Sequence, residues 1–169
     1  MLFEIKQRFN GSVLFSLETA SFSNCVEAAV RTRADFAYAD LAGATGINKH
    51  QVTPLRILLD QPGPIRAYKL INKHGEGPFN GGIKYDGAID SFSVELFDKD
   101  ENSQCGAGIN LATLDWCMKE WREDYRILLM EFFAADLVVP TLTDGKFRVR
   151  KCRRVGEVDL KEIGLIGLE

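Results

Sequence analysis

The sequence lacks any long hydrophobic run. No stretch approaches the roughly 20 apolar residues that a membrane-spanning helix needs. The first residues, Met1–Lys6, alternate apolar and polar side chains and do not show the charged and then apolar layout of a signal peptide. We therefore expect a cytoplasmic protein that does not associate with membranes.

Histidine and clustered cysteine are also scarce. The chain has two histidines and four cysteines, and no two cysteines form a C-x-x-C pair. These numbers and spacings argue against a zinc site and favour reduced thiols. We expect no metal and no cofactor. No serine or cysteine has the motif partners of a hydrolase triad.

Charge of one sign is not in large excess. The 169 residues include 21 Lys and Arg against 24 Asp and Glu, which gives a net charge of −3. This balance provides no overall attraction to nucleic-acid phosphates. A hydrophobic fraction of 46% and eleven phenylalanines supply a core for one domain, or for two small units that share a core.

The N-terminal part, residues 1–63, reads as a hairpin, a helix and a short repeat. Two alternating runs flank Asn10-Gly11 and predict a β-hairpin. Ser21 or Ser23 can cap a helix through Cys25–Val30. A five-residue rhythm of small, acidic and large apolar residues then runs over Ala34–Thr45. This rhythm is typical of a pentapeptide repeat and predicts a vestigial turn of right-handed β-helix.

The C-terminal part, residues 64–169, reads as an α+β domain. Proline and glycine at 62–64 break the chain before it. Apolar and alternating segments predict strands at 65–71, 83–85, 91–97, 125–133, 146–152 and 155–160, in a mixed, mainly antiparallel sheet. Thr113 can cap a helix, and the helical spacing that follows it predicts one main helix over Leu114–Glu123.

Several stretches resemble pentapeptide-repeat-containing phage and prophage proteins with a C-terminal α+β domain. The matching segments are Phe3–Gly11, Val26–Val30, Ala34–Ala44, Cys105–Asn110, Asp144–Arg148 and Lys151-Cys152. The family supplies no settled activity. The resemblance implies an accessory protein in the cytoplasm of a bacterial host that binds a host protein, for example an anti-CRISPR-like inhibitor of a defence system. Because the repeat is truncated, its open end also favours a homodimer.

A second interpretation is that the C-terminal domain is an enzyme. The order of its strands, loop and helix resembles that of ADP-ribosyltransferase-like domains. The resemblance would place NAD near Tyr68 (or Arg66) and Asn110, with Glu157 stabilising the oxocarbenium charge. Neither the Arg-Ser-Glu nor the His-Tyr-Glu set of such enzymes is complete here. The simpler interpretation is that Tyr68 is an aromatic residue of a strand and that Glu157 is a solvated residue at an edge. We therefore do not expect enzymatic activity.

A third reading concerns the basic run near the C-terminus. Alternation predicts that Lys146, Arg148 and Arg150 project from one strand face, opposite Phe147 and Val149. Such a face can contact an acidic partner or nucleic-acid phosphates, or can simply be the polar side of a half-buried strand. Trp116 would anchor an interface if it were exposed, although burial under a neighbouring loop is favoured.

Overall fold

The structure is a computed structural model that describes residues 1–7, 10–35, 39–40, 49–79 and 81–167. The contacts divide the chain into two compact units, Met1–Pro54 and Leu55–Glu169. The boundary expected from sequence, after residue 63, falls beyond the 3-10 helix Pro54–Asp60, of which all but the first residue belong to the second unit. Each unit is described by itself.

In its described residues, the first unit contains a small antiparallel sheet and two helices. Its elements are β1 (Leu2–Gln7), β2 (Val13–Glu18), α1 (Phe22–Arg31), β3 (Ala39–Asp40) and α2 (Lys49–Val52). The strand order is β2-β1-β3, and β1 pairs with β2 from Leu2 opposite Glu18. The predicted hairpin is therefore confirmed. Gly11 allows its turn, because φ there is +71°.

The predicted helix of this unit is also confirmed. The Ser21 hydroxyl accepts a hydrogen bond from the Asn24 N–H at 3.2 Å, which satisfies one free donor of the first turn. Cys25, Val26 and Ala29 form the buried side of α1. Most of the five-residue rhythm over Ala34–Thr45 lies outside the described residues, so the pentapeptide-repeat turn stays a prediction.

The second unit is built on a seven-stranded sheet in which all pairs are antiparallel. Its strands are β4 (Ile65–Ile71), β5 (Ser91–Ser93), β6 (Ile109–Ala112), β7 (Arg126–Phe132), β8 (Leu137–Val138), β9 (Lys146–Val149) and β10 (Lys151–Glu157). The helix α3 (Leu114–Lys119) and a 3-10 helix (Ala134–Asp136) complete it. The strand order is β5-β10-β7-β4-β6-β9-β8. The predicted α+β class is confirmed.

The connection between β9 and β10 bends the sheet back on itself. Arg150 alone separates these two strands in the chain, yet β7, β4 and β6 lie between them in the sheet. In a flat sheet, four strand spacings would separate them by roughly 19 Å, whereas two Cα steps reach about 7.6 Å. The sheet therefore curls into a barrel-like form in which β9 and β10 are two halves of one bent strand.

Curling gives the sheet an inner and an outer face. The inner face holds the larger core, whose strand residues are Ile65, Ala67, Ile71, Phe92, Ile109, Leu111, Leu128, Met130, Phe132, Leu137, Phe147, Val149 and Cys152. The outer face carries a second cluster of Leu70, Ala112, Trp116, Cys117 and Ile127, against which the C-terminal segment packs through Val158, Leu160, Ile163 and Leu165. Burial of apolar area on both faces is the main stabilising term.

Several expectations about this unit are wrong in detail. The predicted strand 91–97 ends at Ser93, and 155–160 is not a strand of its own, because its first three residues belong to β10. Residues 83–85 are not a strand, although Tyr85 reaches the inner core from its loop. The helix predicted to reach Glu123 stops at Lys119, and Asp124 then turns with φ +69°. Thr113 occupies the N-cap of α3, but its hydroxyl is buried without a hydrogen-bond partner among the described residues. Such features depend on contacts between distant segments.

Candidate binding site

The basic run does not form the single exposed face that alternation predicts. Asn110 pairs with Arg148 and Ala112 pairs with Lys146, so both cations start on the outer face. The bend at Arg150 then shifts the alternation by one residue. Beyond it Arg153 pairs with Glu131 and projects outward, and Cys152 projects into the inner core. The cations of the run therefore divide into different environments; the run has six of them, Lys146, Arg148, Arg150, Lys151, Arg153 and Arg154.

Arg148 is enclosed by the loop that follows β5. Its side chain is fully buried. The guanidinium donates to the carbonyl oxygens of Asp98 (2.7 Å), Ser103 (2.5 Å) and Asp100. The Asp98 carboxylate lies 3.7 Å away, and the N–H of Asp100 together with this cation lowers the pKa of Asp98. The expectation that Arg148 is exposed for binding is wrong, because it organises its own loop.

Lys146 and Trp116 are brought together on the outer face. Trp116 is buried, and its Nε1 donates to the Asp144 carboxylate at 3.1 Å. The Lys146 ammonium lies 5.3 Å from the centre of the Trp116 ring, while the exposed Phe79 meets that ring edge-on. The favoured burial of Trp116 is confirmed. This tryptophan therefore holds a loop and offers no exposed anchor.

The outward cations lie around two shielded carboxylates. Arg153 contacts Glu131 at 2.6 Å, and Arg66 on β4 approaches the same carboxylate at 3.7 Å. Lys151 lies 3.4 Å from Asp136. The cationic side chains are 60–65% exposed, against 15% for the two carboxylates. Solvent or a partner therefore meets the positive groups first.

We call this surface the outer basic face. It comprises Arg66, Glu131, Asp136, Arg150, Lys151 and Arg153. Its charges sum to +2 by residue type, on a chain whose net charge is −3. The outer basic face is therefore positive within an acidic protein, a contrast that orients charged partners during encounter.

A surface pocket of about 430 Å³ adjoins the outer basic face. Its lining residues are Ser93, Val94, Glu95, Asp136, Arg150 and Lys151. The backbone of Arg150 is fixed, since its N–H donates to Asp136 (2.8 Å) and its carbonyl accepts from Val94 (3.0 Å). Its side chain is exposed and forms no ion pair within the described part of the chain. The guanidinium donors of Arg150 are therefore carried by a residue whose backbone is fixed by hydrogen bonds.

Two exposed apolar residues lie close in sequence to residues that line the pocket. Phe133 is 52% exposed and follows β7, and its carbonyl accepts the Asp136 N–H at 3.0 Å. Leu96 is 76% exposed and follows the pocket residue Glu95. Aromatic side chains next to arginine are typical of the residues that dominate protein interfaces.

The residues of the enzyme reading do not share one face. Tyr68 pairs with Ala112 and packs on the outer cluster, and Asn110 lies two residues along the same face. Glu157 pairs with Leu128, which belongs to the inner core. Both Glu157 oxygens bind the Arg126 guanidinium (2.8 and 2.6 Å), which lowers the pKa of that carboxyl. The sheet therefore separates Glu157 from Tyr68 and Asn110.

A buried lysine lies inside the curled sheet. The Lys69 ammonium donates to the Asn110 carbonyl at 2.9 Å and lies 4.9 Å from the centre of the Tyr85 ring. Burial lowers the pKa of Lys69 to about 8 and raises the pKa of the Cys152 thiol to about 12. No carboxylate forms a salt bridge with this amine among the described residues. The ammonium is therefore held by groups of the core.

The described residues contain neither a metal-binding cluster nor a membrane-spanning helix. Outside the gaps at 8–9, 36–38, 41–48, 80 and 168–169, no group of three or more His, Cys, Asp or Glu side chains is arranged to hold a metal ion. Within those same ranges, no helix combines the length and apolar character that crossing a membrane requires.

Comparison of the chain with protein-family models, with curated proteins and with solved structures found no match. The resemblance to phage pentapeptide-repeat proteins therefore stays a prediction, as do the host partner and the homodimer that it implies.

Sequence reasoning found Arg150 and missed most of its neighbours. Lys151 and Arg153 belong to the basic run, but uniform alternation assigned them to the opposite side. Arg66, Glu131 and Asp136 join the site only through the pairing of β10, β7 and β4, and through the 3-10 helix that follows β7. One available signal was the cluster of four cations at 150–154, which is too dense for one side of a strand.

Proposed function

We propose that the protein is a non-enzymatic binding module whose outer basic face contacts an acidic segment of a partner protein. The observation that carries the proposal is the arrangement of Arg66, Lys151 and Arg153, which project outward around shielded carboxylates. The exposed Phe133 follows β7, and its carbonyl accepts the Asp136 N–H, so it supplies apolar contact area close in the chain to the two shielded carboxylates. A host protein, such as a bacterial defence component, is the partner that the phage resemblance implies.

A protein partner fits this surface better than nucleic acid does. Glu131 and Asp136 lie among the cations, and Glu95 lies in the adjoining pocket. A regular row of phosphates would meet these carboxylates repeatedly, whereas an acidic protein segment can place each charge opposite a cation. The fully buried Arg148 further shortens the row of exposed cations that a nucleic acid would follow.

The experiment compares charge reversal on the outer basic face with charge reversal elsewhere. The test variant is K151E/R153E, and the matched control is K99E/K161E, which changes the net charge equally at two exposed lysines. Tagged proteins are used to capture partners from bacterial lysate, and each recovered protein is then titrated in purified form by calorimetry. A partner that binds the wild type and the control should bind the test variant at least about tenfold more weakly.

Equal binding by the test and control variants would overturn the proposal. Duplex and single-stranded DNA are titrated in parallel, and binding to either one that depends on Lys151 and Arg153 would instead support the nucleic-acid reading. Incubation with labelled NAD and lysate tests the enzyme reading, for which transferred label is the decisive result.

A further inference from the structure

The edge of the sheet at β5 presents backbone groups that the fold does not use. The Val94 N–H donates to the carbonyl of Arg150, the residue before β10, at 3.0 Å, and the Asp90 carbonyl accepts from the N–H of Arg154 on β10 at 2.7 Å. In an antiparallel ladder, alternate residues face the same neighbour. The N–H and C=O groups of Ser91 and Ser93 therefore point away from β10. β5 is the end strand of the described sheet, so no described strand pairs with them.

We propose that an extended acidic segment of the partner adds as a strand to β5 and places a carboxylate against Arg150. This inference rests on the proposed function and specifies how the outer basic face is used. Addition of a strand to an exposed edge obtains affinity from main-chain hydrogen bonds and specificity from alternate side chains. The segment would bond to Ser91 and Ser93 and direct every second side chain to the outer face.

The charges near this edge favour an acidic occupant. Lys151 and Arg153 are paired in register with Ser93 and Ser91, so they lie one strand in from the edge on the outer face. Arg150 lies in the pocket that Ser93 also lines, and its guanidinium has no ion-pair partner among the described residues. An incoming carboxylate can form the charged hydrogen bonds that Arg150 lacks.

Glu95 is the feature of the pocket that opposes an acidic segment. Its side chain is exposed and lines the pocket with Arg150. The occupant must therefore place its carboxylate on the Arg150 side. Removal of the Glu95 charge should tighten the binding of an acidic peptide about twofold, the size of a weak exposed charge interaction.

The test uses a fluorescein-labelled octapeptide of alternating valine and glutamate, titrated by fluorescence anisotropy against the full chain. The matched peptide alternates valine and lysine. The acidic peptide should bind at least about tenfold more tightly than the basic one. Equal binding of the two peptides, or no binding of the acidic one, would overturn the inference.

Ser93→Pro separates strand addition from simple charge attraction. Proline removes the outward N–H of residue 93 and leaves the β10-facing groups of residues 92 and 94 unchanged, which edge strands tolerate. The variant should bind the acidic peptide about tenfold more weakly, through one lost hydrogen bond and the bulk of the ring. Ser93→Ala keeps the N–H and should bind within about twofold of the wild type.

A change in the peptide gives the same information without altering the protein. N-methylation of every second residue blocks the hydrogen bonds along one edge of the extended peptide. Two peptides are made, methylated at the odd or at the even positions, and one of them should lose binding while the other should retain it. If both methylated peptides and Ser93→Pro bind normally while R150E/K151E does not, strand addition is wrong and the proposed function survives. If R150E/K151E binds normally, the proposed function fails as well.

Discussion

Arg148 and Arg153 lie five positions apart in one basic run, yet they have opposite roles in the fold. Arg148 is fully buried and donates to three carbonyl oxygens of one loop. Arg153 is mostly exposed and holds a single carboxylate. A buried guanidinium needs every donor satisfied, whereas an exposed one can exchange its partner for water or for another protein. The count of cations in a sequence therefore does not give the charge of a surface.

Removal of the buried Arg148 side chain should reduce the stability of the fold more than any other change considered below. Arg148→Met leaves the carbonyls of Asp98, Asp100 and Ser103 without their donors. We expect the free energy of unfolding to fall by roughly 3–5 kcal/mol, as for other broken buried ionic groups. Urea denaturation measures it. Arg153→Met is the matched control, and its loss should stay below about 1 kcal/mol. Equal losses for the two variants would remove the distinction between them.

The buried Lys69 gives the next largest effect, as a dependence of stability on pH. Its pKa is about 8 when folded and 10.5 when exposed, so the unfolded chain binds more protons between these values. Stability should therefore rise with pH across that window, by up to about 3 kcal/mol at 1.36 kcal/mol per pKa unit.

The cysteines oppose this trend and require a difference measurement. The pKa values of Cys117 and Cys152 are raised from 9.0 to about 12, so their ionisation in the unfolded chain lowers stability above pH 9. We would measure the free energy of unfolding of the wild type and of Lys69→Met at pH 7.5, 8.5 and 9.5. Because both proteins contain the same cysteines, the difference between the two free energies cancels most of the cysteine contribution. The wild type should gain stability relative to the variant as the pH rises. A constant difference would show that Lys69 does not titrate in this range.

Arg154 is intermediate in exposure between Arg148 and Arg153. Its guanidinium donates to the carbonyls of Tyr85 (2.7 Å) and Gly87 (2.9 Å) and to the Asp90 carboxylate, but its side chain is 21% exposed. Water can replace part of these bonds. We expect Arg154→Met to cost about 1–3 kcal/mol of unfolding free energy, between the losses for Arg148→Met and Arg153→Met. A different order would show that exposure does not decide the role of these arginines.

The smallest effect on stability is expected for the binding surface itself. K151E/R153E should change the free energy of unfolding by no more than about 1 kcal/mol relative to K99E/K161E, because exposed ion pairs contribute little. Thermal unfolding followed by circular dichroism checks this. A large loss of stability would assign Lys151 and Arg153 to the fold and would remove the basis for reading their charge reversal as a binding defect.

Local sequence signals predicted the local elements of this fold. The hairpin around Asn10-Gly11, the Ser21 cap and the strand Ile65–Ile71 depend on turn chemistry, capping and hydrophobic pattern within a few residues. The same signals overextended α3, because the turn at Asp124 depends on how the chain enters β7.

The candidate site depends on information that alternation does not contain. A single residue at the bend, Arg150, changes which side of the strand each later cation occupies. The loop over Arg148 and the register that brings Arg66 to Glu131 arise from segments more than forty residues apart. Sequence could therefore predict that cations are abundant here, but not which of them face solvent.

An NMR titration of the folded chain with the valine–glutamate octapeptide shows whether an acidic strand binds at the outer basic face. The amide signals of residues 91–95, 131–136 and 150–153 should shift together as the peptide is added, and the shifts should disappear in K151E/R153E. Signals near Arg148 and Lys69 should stay in place, since those side chains are occupied within the fold. Shifts centred elsewhere on the protein, or equal shifts with the valine–lysine peptide, would contradict the account.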